Sequence, residues 1–328
     1  MNILLTGATG TFGQAFLRYV LEDKRAKVNR LAAFARSESR LALLTEKYQH
    51  HDAFRPFLGD IRDESRLRDA CAGVDVVVHA AALKRVDGGA YNPLEMHKTN
   101  VQGSINVADA ARDCGVHRVV LISSDKAVAP INTYGASKYQ AENCLRELNS
   151  YSAPRGTRIS CVRYGNVLAS TGSVLTIWNR QRNAREPLTV TDGEMTRFWL
   201  TPNDAVEHVF RSLKVMEGGE IILPVLQSST LMTLAKAYSP RSEIVETGKR
   251  PGGEKKHESL MNSDEAERAI ALEGLIVVPP AVTSWAVKPW LTDDSVQIPV
   301  PYSSDNNSLC TMSPLDLESR LVNVMSRV

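Results

Sequence analysis

The chain opens with a short apolar run that leads directly into a glycine-rich loop, and this junction constrains its fold most strongly. The run Asn2–Leu5 is followed by a helical pattern, and glycines punctuate the connection. Glycines at such a junction permit a tight turn and a close backbone approach to a pyrophosphate, which the helix N-terminus then faces. The alternative is a plain strand–helix turn. We expect a dinucleotide site at Gly7, Thr9, Gly10, Thr11, Phe12 and Gly13.

Short apolar runs alternate with amphipathic stretches through the first two-thirds of the chain. Residues 76–78 and 119–122 are apolar on both faces, as strands are in a parallel sheet covered by helices. The alternation predicts an α/β fold with a Rossmann-like, doubly wound parallel sheet. The predicted strands are Asn2–Leu5, Arg30–Phe34, Phe54–Leu58, Val74–His79, Arg118–Ile122 and Ile159–Arg163. The predicted helices are Phe12–Leu21, Ser65–Cys71, Ile105–Cys114, Ser137–Leu148 and Asp204–Met216.

The rhythm changes after about Gly172, where prolines become frequent and strands become shorter. We therefore expect residues 1–172 to form the dinucleotide-binding domain with the catalytic residues. Residues 173–328 are expected to form mainly a smaller C-terminal α/β substrate lobe and the tail, with segments that can interleave with the first domain.

Composition and charge exclude several classes of protein. A hydrophobic content of 43% and a charged content of 23% are typical of a soluble globular protein. A net charge of +2 with interspersed signs gives no basic face for nucleic acid. No apolar run is long enough for a membrane span, and the N-terminus is expected to be a strand rather than a signal peptide. The five cysteines and seven histidines form no metal pattern, which favours free thiols in a reducing cytoplasm.

Cations follow the second predicted strand at the place where the ribose of a dinucleotide is recognised. An NAD enzyme often carries Asp or Glu at this tip, whereas this chain carries Arg36 and Ser37, with Arg40 one turn later. A cation and a hydroxyl suit a 2′-phosphate, so the pattern favours NADP. The alternative is ordinary solvated arginines. Further expected cofactor contacts at strand ends are Asp60, Ile61 and Ala80, whereas His79 is expected to be a packed histidine.

A tyrosine and a lysine follow the fifth predicted strand at helical spacing. Tyr134 and Lys138 lie at i and i+4, which places them on one face of a helix, and Ser124 precedes them at the strand end. A lysine ammonium beside a phenol favours the phenolate and lowers its pKa. Tyr134 is therefore a candidate base that removes a proton from a sugar hydroxyl as hydride leaves the same carbon.

Asp125 and Lys126 form a charged pair at the same strand tip. Two opposite charges at the end of a buried strand are unfavourable unless they are paired or used. The pair is either a structural ion pair or part of the catalytic machinery, and its position in the expected cleft favours catalysis.

Several runs of the chain carry a family resemblance. They lie at residues 7–13, 81–84, 91–93, 124–127, 130–132, 134–138, 163–167, 195–199 and 302–307. These runs resemble the C5-inverting UDP-N-acetylglucosamine 4,6-dehydratases, extended short-chain dehydrogenase/reductases of pseudaminic acid and polysaccharide biosynthesis. The specific part is Asp-Lys-Ala followed by Tyr-Gly-Ala.

The resemblance implies a chemistry in which NADP is used and regenerated within one turnover. Tyr134 would take the 4-hydroxyl proton as hydride leaves C4, and the resulting ketone would acidify C5. Lys126 would be the base at C5, which requires a neutral amine and hence a pKa lowered by burial. Asp125 would protonate the departing 6-hydroxyl, and hydride would return to C6. The further cofactor-binding residues are Lys84, Tyr134, Lys138 and Val167.

The resemblance also implies a UDP-N-acetylhexosamine substrate, a cytoplasmic location and a homo-oligomer. The chain departs from the family pattern at an extra glycine, Gly252-Gly253, at the looser Gly88-Gly89 stretch, and at Arg85, where a histidine is usual. The implied substrate contacts are Lys84, Asn166, Val174, Thr191, Arg197, Arg250 and Glu254.

Two other functions remain open. A UDP-N-acetylhexosamine epimerase of the same fold would oxidise the sugar transiently, but it expels no 6-hydroxyl and needs no acid–base pair at residues 125–126. A non-catalytic NADP-binding regulator would usually have lost the tyrosine or the lysine, and both are present.

Overall fold

The computed structural model describes residues 1–250, 252–281, 290, 296–298, 300–306 and 314–325. Its strands are β1 (Asn2–Thr6), β2 (Arg30–Ala35), β3 (Phe54–Leu58), β4 (Val76–His79), β5 (Arg118–Ile122), β6 (Arg158–Val162), β7 (Asn166–Val167), β8 (Leu188–Val190), β9 (Thr196–Leu200), β10 (Ile221–Pro224), β11 (Gln227–Thr230), β12 (Ile244–Glu246), β13 (Ser259–Met261), β14 (Ile270–Leu272), β15 (Leu275–Val278), β16 (Val296–Gln297) and β17 (Tyr302–Ser303).

The α-helices alternate with these strands through the first half. They are α1 (Thr11–Leu17), α2 (Glu38–Tyr48), α3 (Glu64–Cys71), α4 (Val86–Tyr91), α5 (Pro93–His97), α6 (Gly103–Asp113), α7 (Thr133–Ser152), α8 (Val174–Ala184), α9 (Pro202–Val215), α10 (Leu231–Tyr238), α11 (Ser263–Ala266) and α12 (Pro314–Met325). Two π-helical turns, Arg18–Glu22 and Lys98–Gln102, continue α1 and α5, and residues 125–127 form a 3₁₀ turn after β5.

A ten-stranded sheet forms the centre of the molecule, in the order β16-β14-β15-β10-β6-β5-β4-β1-β2-β3. The strands from β3 to β10 in this order are parallel, whereas β15 runs antiparallel to β10. The chain builds outward from β1 through β2 to β3 and then returns to place β4 on the other side of β1. This reversal is the switch point at which ligands bind in such sheets, and it confirms the predicted Rossmann-like α/β fold.

The buried strands of this sheet explain its stability and its type. All four residues of β4 and the last four of β1 are buried. Helices therefore cover both faces, as the continuous apolar runs predict. The strand predictions agree with the structure to within two residues, but α7 begins at Thr133, four residues before the predicted start.

The later half of the chain contributes to two separate cores. Strands β10, β14, β15 and β16 extend the central sheet, so this half interleaves with the first domain. A second apolar cluster, with Trp178, Leu188, Trp199 and Leu234 among its buried members, belongs to residues 168–238 and α12. We retain the boundary near residue 172 as a proposal about where substrate-binding elements begin.

No helix within the described ranges is long and apolar enough to cross a membrane. No group of three or more histidine, cysteine or acidic side chains in those ranges is placed to hold a metal ion. Four cysteines, Cys71, Cys114, Cys144 and Cys161, are free thiols, and Cys310 lies outside the described residues.

Candidate active site

The glycine loop lies at the switch point, packed against the end of β4. Gly7 has a φ of +71°, and a Cβ there would stand 2.7 Å from the Ala81 nitrogen. A Cβ on Gly13 would stand 2.5 Å from the Gly7 carbonyl oxygen. No side chain caps the N-terminus of α1, which begins after Gly10. The loop therefore leaves room for a pyrophosphate to meet backbone N–H groups, which fits a dinucleotide.

Neighbouring residues hold this loop in place. The Thr171 backbone N–H donates to the Thr11 hydroxyl over 3.0 Å, which ties α1 to the segment after β7. The Phe12 ring stacks on Tyr164 with centroids 6.4 Å apart. The Thr9 carbonyl accepts a hydrogen bond of 3.1 Å from Gln14. These contacts hold Thr9, Thr11 and Phe12 in place within the predicted cofactor loop.

An exposed arginine marks the tip of β2. The Arg36 guanidinium lies 3.7 Å from the Asp60 carboxylate, and its side chain is 57% exposed. Arg62 also pairs with Asp60, at 2.7 Å. Burial would raise the pKa of Asp60, but the hydrogen bonds from Arg62 lower it below its usual value. Ser37 precedes α2 beside Arg36, so the tip presents a cation and a hydroxyl together.

The end of β4 forms the other wall of the cofactor cleft. Ala80 donates to the Thr6 carbonyl over 3.3 Å and lies against Gly7. His79 is fully buried, with its ring nitrogens 2.7 Å from the Thr6 hydroxyl and 2.9 Å from the Ser104 hydroxyl. Desolvation lowers its pKa to about 3. His79 is thus a packed, neutral histidine, as predicted.

Tyr134 stands close to the 125–127 turn because α7 packs tightly on it. The Asn132 side chain accepts a hydrogen bond of 2.9 Å from the Gly135 backbone and caps α7. A Cβ on Gly135 would collide with the Lys126 carbonyl. Glycine at that position therefore lets the first turn of α7 touch the turn that carries Asp125 and Lys126. The structure brings these predicted catalytic residues together.

Lys126 lies between two carboxylates. Its ammonium is 3.1 Å from Asp125 Oδ1 and 3.3 Å from Glu258 Oε1. Burial lowers the pKa of Lys126, but Asp125 and Glu258 raise it further, so the net pKa lies above its ordinary value. The expectation that burial leaves Lys126 with a lowered pKa is therefore wrong. Two buried anions outweigh desolvation, and the resting side chain is an ammonium.

The pKa values of Asp125 and Glu258 are shifted in opposite directions. The Asp125 side chain is fully buried and accepts hydrogen bonds from Ser124 over 2.7 Å and Lys126 over 3.1 Å. Burial raises its pKa despite the opposing charge of Lys126. Burial would also raise the pKa of Glu258, but Lys126, Arg197 and Lys255 lower it below normal. The site therefore holds one carboxyl that is easier to protonate and one that stays ionised.

Lys138 is buried against the end of β5. Its ammonium donates to the Ile122 carbonyl over 2.5 Å, and desolvation lowers its pKa to about 8. Burial raises the pKa of Tyr134, and the cation that opposes this rise is Lys126, with a hydrogen bond from Ser124. The assignment of Lys138 as the cation that lowers the phenol pKa stays a prediction, and Lys126 is a second cation that acts on the phenol.

The predicted substrate residues lie on several different elements of the structure. Arg197 on β9 is buried and donates to the backbone carbonyls of Lys255 and Lys256 over 3.0 and 3.1 Å. Arg250 forms a short ion pair with Glu254. Of the other predicted substrate contacts, Lys84 lies in the loop between β4 and α4, Asn166 on β7, Val174 at the start of α8 and Thr191 just after β8. The predicted cofactor contact Val167 also lies on β7.

The segment that carries Arg250 and Glu254 covers the catalytic turn. Asn132 donates to the Gly253 carbonyl over 3.2 Å, and Lys255 donates to the Val128 carbonyl over 2.5 Å. Gly252 and Gly253 both have positive φ, +96° and +93°. The two glycines allow a backbone path that returns Glu254 to the turn, where its side chain is 9% exposed.

Sequence reasoning missed Glu258 and Lys255 as members of this site. Both lie in a charged run, Glu254–Glu258, which resembles a solvated surface segment. Glu258 is nevertheless 3% exposed, and its backbone is held by Ser304 through hydrogen bonds of 3.0 and 2.8 Å. One sequence signal could have identified Glu258. A short apolar strand follows the charged run, which implies that the last residue of the run enters the core.

Comparisons with known proteins agree with this architecture. The model of the family described as polysaccharide biosynthesis protein matches residues 3–280. A UDP-N-acetylglucosamine 4,6-dehydratase (inverting) of Campylobacter jejuni subsp. jejuni, strain 81-176, is 36% identical over 282 residues, covering 86% of this chain and 83% of that protein. A UDP-glucose 4-epimerase of Rickettsia felis is 36% identical over 289 residues, 85% and 82% of the two chains. The X-ray structure of Pen from Bacillus thuringiensis has a TM-score of 0.88 at 32% identity and covers 98% of this chain and 97% of that chain.

Proposed function

Because the chain belongs to the polysaccharide biosynthesis protein family, we propose that it is a UDP-N-acetylglucosamine 4,6-dehydratase that inverts C5. The observation that carries this proposal is the charged pair Asp125–Lys126 placed beside Tyr134. An elimination needs a group that moves a carbon-bound proton and an acid for the departing hydroxyl, and this pair offers both types of group. The 36% identity to a relative named as an inverting dehydratase supports the same reaction.

The glycine loop, the β2 tip and the end of β4 would hold the cofactor. Residues 7–13 would receive the pyrophosphate, and Arg36 and Ser37 would face the 2′-phosphate of NADP. Asp60, Ile61, Ala80, Lys84, Lys138 and Val167 complete the proposed cofactor contacts. When bound, NADP would accept a hydride from C4 of the sugar and later return it to C6.

Tyr134 would take the proton of the 4-hydroxyl, so that C4 becomes a ketone and the C5 proton becomes acidic. Lys126 would first pass its ammonium proton to Asp125, 3.1 Å away, and would then take the C5 proton as a neutral amine. Asp125 would give the proton that it received to the 6-hydroxyl, which then departs as water. The raised pKa of Asp125 suits a carboxyl that must hold a proton and then give it up. Ser124 would position Tyr134 and Asp125 relative to each other by hydrogen bonds to both side chains.

The predicted substrate residues would receive the sugar and its diphosphate. We propose Lys84, Asn166, Val174, Thr191, Arg197, Arg250 and Glu254 for this role. We also propose a symmetric homo-oligomer, the commonest form of soluble assemblies. A cytoplasmic location is proposed because the described cysteines are free thiols.

Removing the cation at the β2 tip should distinguish NADP from NAD. In Arg36→Ala, we expect affinity for NADP(H) to fall about tenfold or more, because a charge-assisted hydrogen bond is lost. Affinity for NAD(H) should stay nearly unchanged. Titration of intrinsic fluorescence with each cofactor measures both values on one variant. Equal losses for the two cofactors would contradict a 2′-phosphate contact.

Proton NMR in heavy water tests the proposed reaction directly. The purified protein, NADP and UDP-N-acetylglucosamine should give a new C6 methyl signal, deuterium at C5 and the couplings of the inverted sugar. A retained C6 hydroxymethyl with altered ring couplings would instead support the epimerase. The 36% identity to a relative named UDP-glucose 4-epimerase is the observation that favours this alternative. Tight NADP binding without turnover of any UDP-sugar would support the non-catalytic regulator.

A further inference from the structure

Glu258 approaches Lys126 from a part of the chain remote from the catalytic turn. It immediately precedes β13, and β13 is anchored in turn by antiparallel pairing with β17. Its Oε1 lies 3.3 Å from the Lys126 ammonium, and its Oε2 lies 3.4 Å from Lys255. The backbone of Glu258 is thus anchored by hydrogen bonds to Ser304, and its carboxylate forms ion pairs with two lysines.

The two members of this pair differ in their access to the cleft. The Lys126 side chain is 23% exposed, whereas that of Glu258 is 4% exposed. The Lys126 side chain is therefore open to a substrate, whereas the Glu258 carboxylate is not. Glu258 can act on the reaction only through its neighbours, of which Lys126 is the one in direct contact, while its charge also raises the pKa of Asp125 and of Tyr134.

We propose that Glu258 is a positioning residue that, together with Asp125, fixes the orientation and the protonation state of the Lys126 amine. The inference rests on the proposed function for its role in the reaction, but the lysine–carboxylate coupling itself does not. Asp125 belongs to the same turn as Lys126 and contacts its amine from there, at 3.1 Å. Glu258 adds a second, independent point of attachment.

The charges that face Lys126 come from four elements. Asp125 lies on its own turn, Glu258 precedes β13, Arg197 lies on β9, and the Tyr134 phenol lies on α7. The two carboxylates raise the pKa of Lys126, and Arg197 lowers it. Removing one carboxylate should therefore lower the pKa of Lys126, since Arg197 stays in place and only Asp125 still opposes it.

The coupling predicts a measurable shift in the titration of Lys126. In Glu258→Gln, which preserves shape but removes charge, the pKa of Lys126 should fall by about one to three units. Lysine Nζ signals in ¹⁵N-labelled protein report this pKa without turnover, and Lys126→Arg identifies the relevant signal. The pH-rate limb for deuterium incorporation at C5 should move to lower pH with it.

Two further variants complete the test. Glu194→Gln removes an exposed carboxylate that pairs with Lys256 at 2.5 Å, and it should move neither the titration nor the limb. Glu258→Asp keeps the charge but draws it back, and it should produce a smaller fall in the Lys126 pKa than the glutamine variant. Because glutamine is nearly isosteric and aspartate keeps the charge, at least one folded variant should be available.

The outcomes separate this proposal from the proposed function. An unchanged Lys126 titration in folded Glu258→Gln would overturn it, even if activity fell, because Glu258 would then be merely structural. A shifted titration in a protein that dehydrates no UDP-sugar would support the coupling while the dehydratase proposal fails. A shifted titration together with a shifted C5 exchange limb would support both.

Discussion

Tyr134→Phe should lower kcat for dehydration by about 10²–10⁴-fold, the usual contribution of a positioned acid–base group. The phenylalanine ring would keep the packing of α7 on the catalytic turn but would lack the atom that accepts the 4-hydroxyl proton. Every later step should fail as well, because C5 is not acidic until C4 is a ketone. KM for the UDP-sugar should change little.

The electrostatics of the site make this variant informative. Burial raises the pKa of Tyr134, whereas Lys126 and Ser124 lower it. The steady-state rate of dehydration and the rate of deuterium incorporation at C5 should fall together. Tyr139→Phe is a matched control on the same helix, because Tyr139 is 47% exposed and should tolerate the change. Retained C5 exchange in Tyr134→Phe would contradict the assigned role.

The central sheet was predictable because its signals are local. Each signal can be read within a few consecutive residues: the glycine loop, the strands that are apolar on both faces, and the short connections. Together they predict a doubly wound sheet. The late hairpin of β14 and β15 was not recognised. Its turn, Glu273-Gly274, has positive φ at both residues, +50° and +69°, and Glu is not a usual residue at such a position.

The candidate site was predictable only in part, for a physical reason. The spacing of Tyr134 and Lys138 fixes a shared helical face, but it does not tell which cation reaches the phenol. The protonation state of Lys126 depends on Glu258, which is distant in sequence and enters from another sheet. A pKa is set by the sum of desolvation and all nearby charges, so a local pattern that omits one charge can give the wrong sign.

Lys126→Ala should abolish elimination while leaving oxidation at C4 possible. Tyr134 and the glycine loop remain, so a single turnover should still reduce the bound nicotinamide, as its absorbance would report, but more slowly because the cation that lowers the Tyr134 pKa is gone. Deuterium should not enter C5, and the overall rate should fall by about 10²–10⁴-fold, because the group that moves the C5 proton is gone. NADP affinity should stay close to that of the unaltered protein. Full dehydratase activity would refute the role of Lys126.

Loss of the lysine also leaves Asp125 and Glu258 without their shared cation. Two buried carboxylates without a cation between them are unfavourable, and one would take up a proton, so the alanine variant should also unfold at a lower temperature. Lys126→Arg resolves this ambiguity, since arginine keeps the positive charge but does not release its proton in proteins. If Lys126 moves a proton, the arginine variant should be stable and as inactive as the alanine variant. If Lys126 supplies charge alone, the arginine variant should retain C5 exchange.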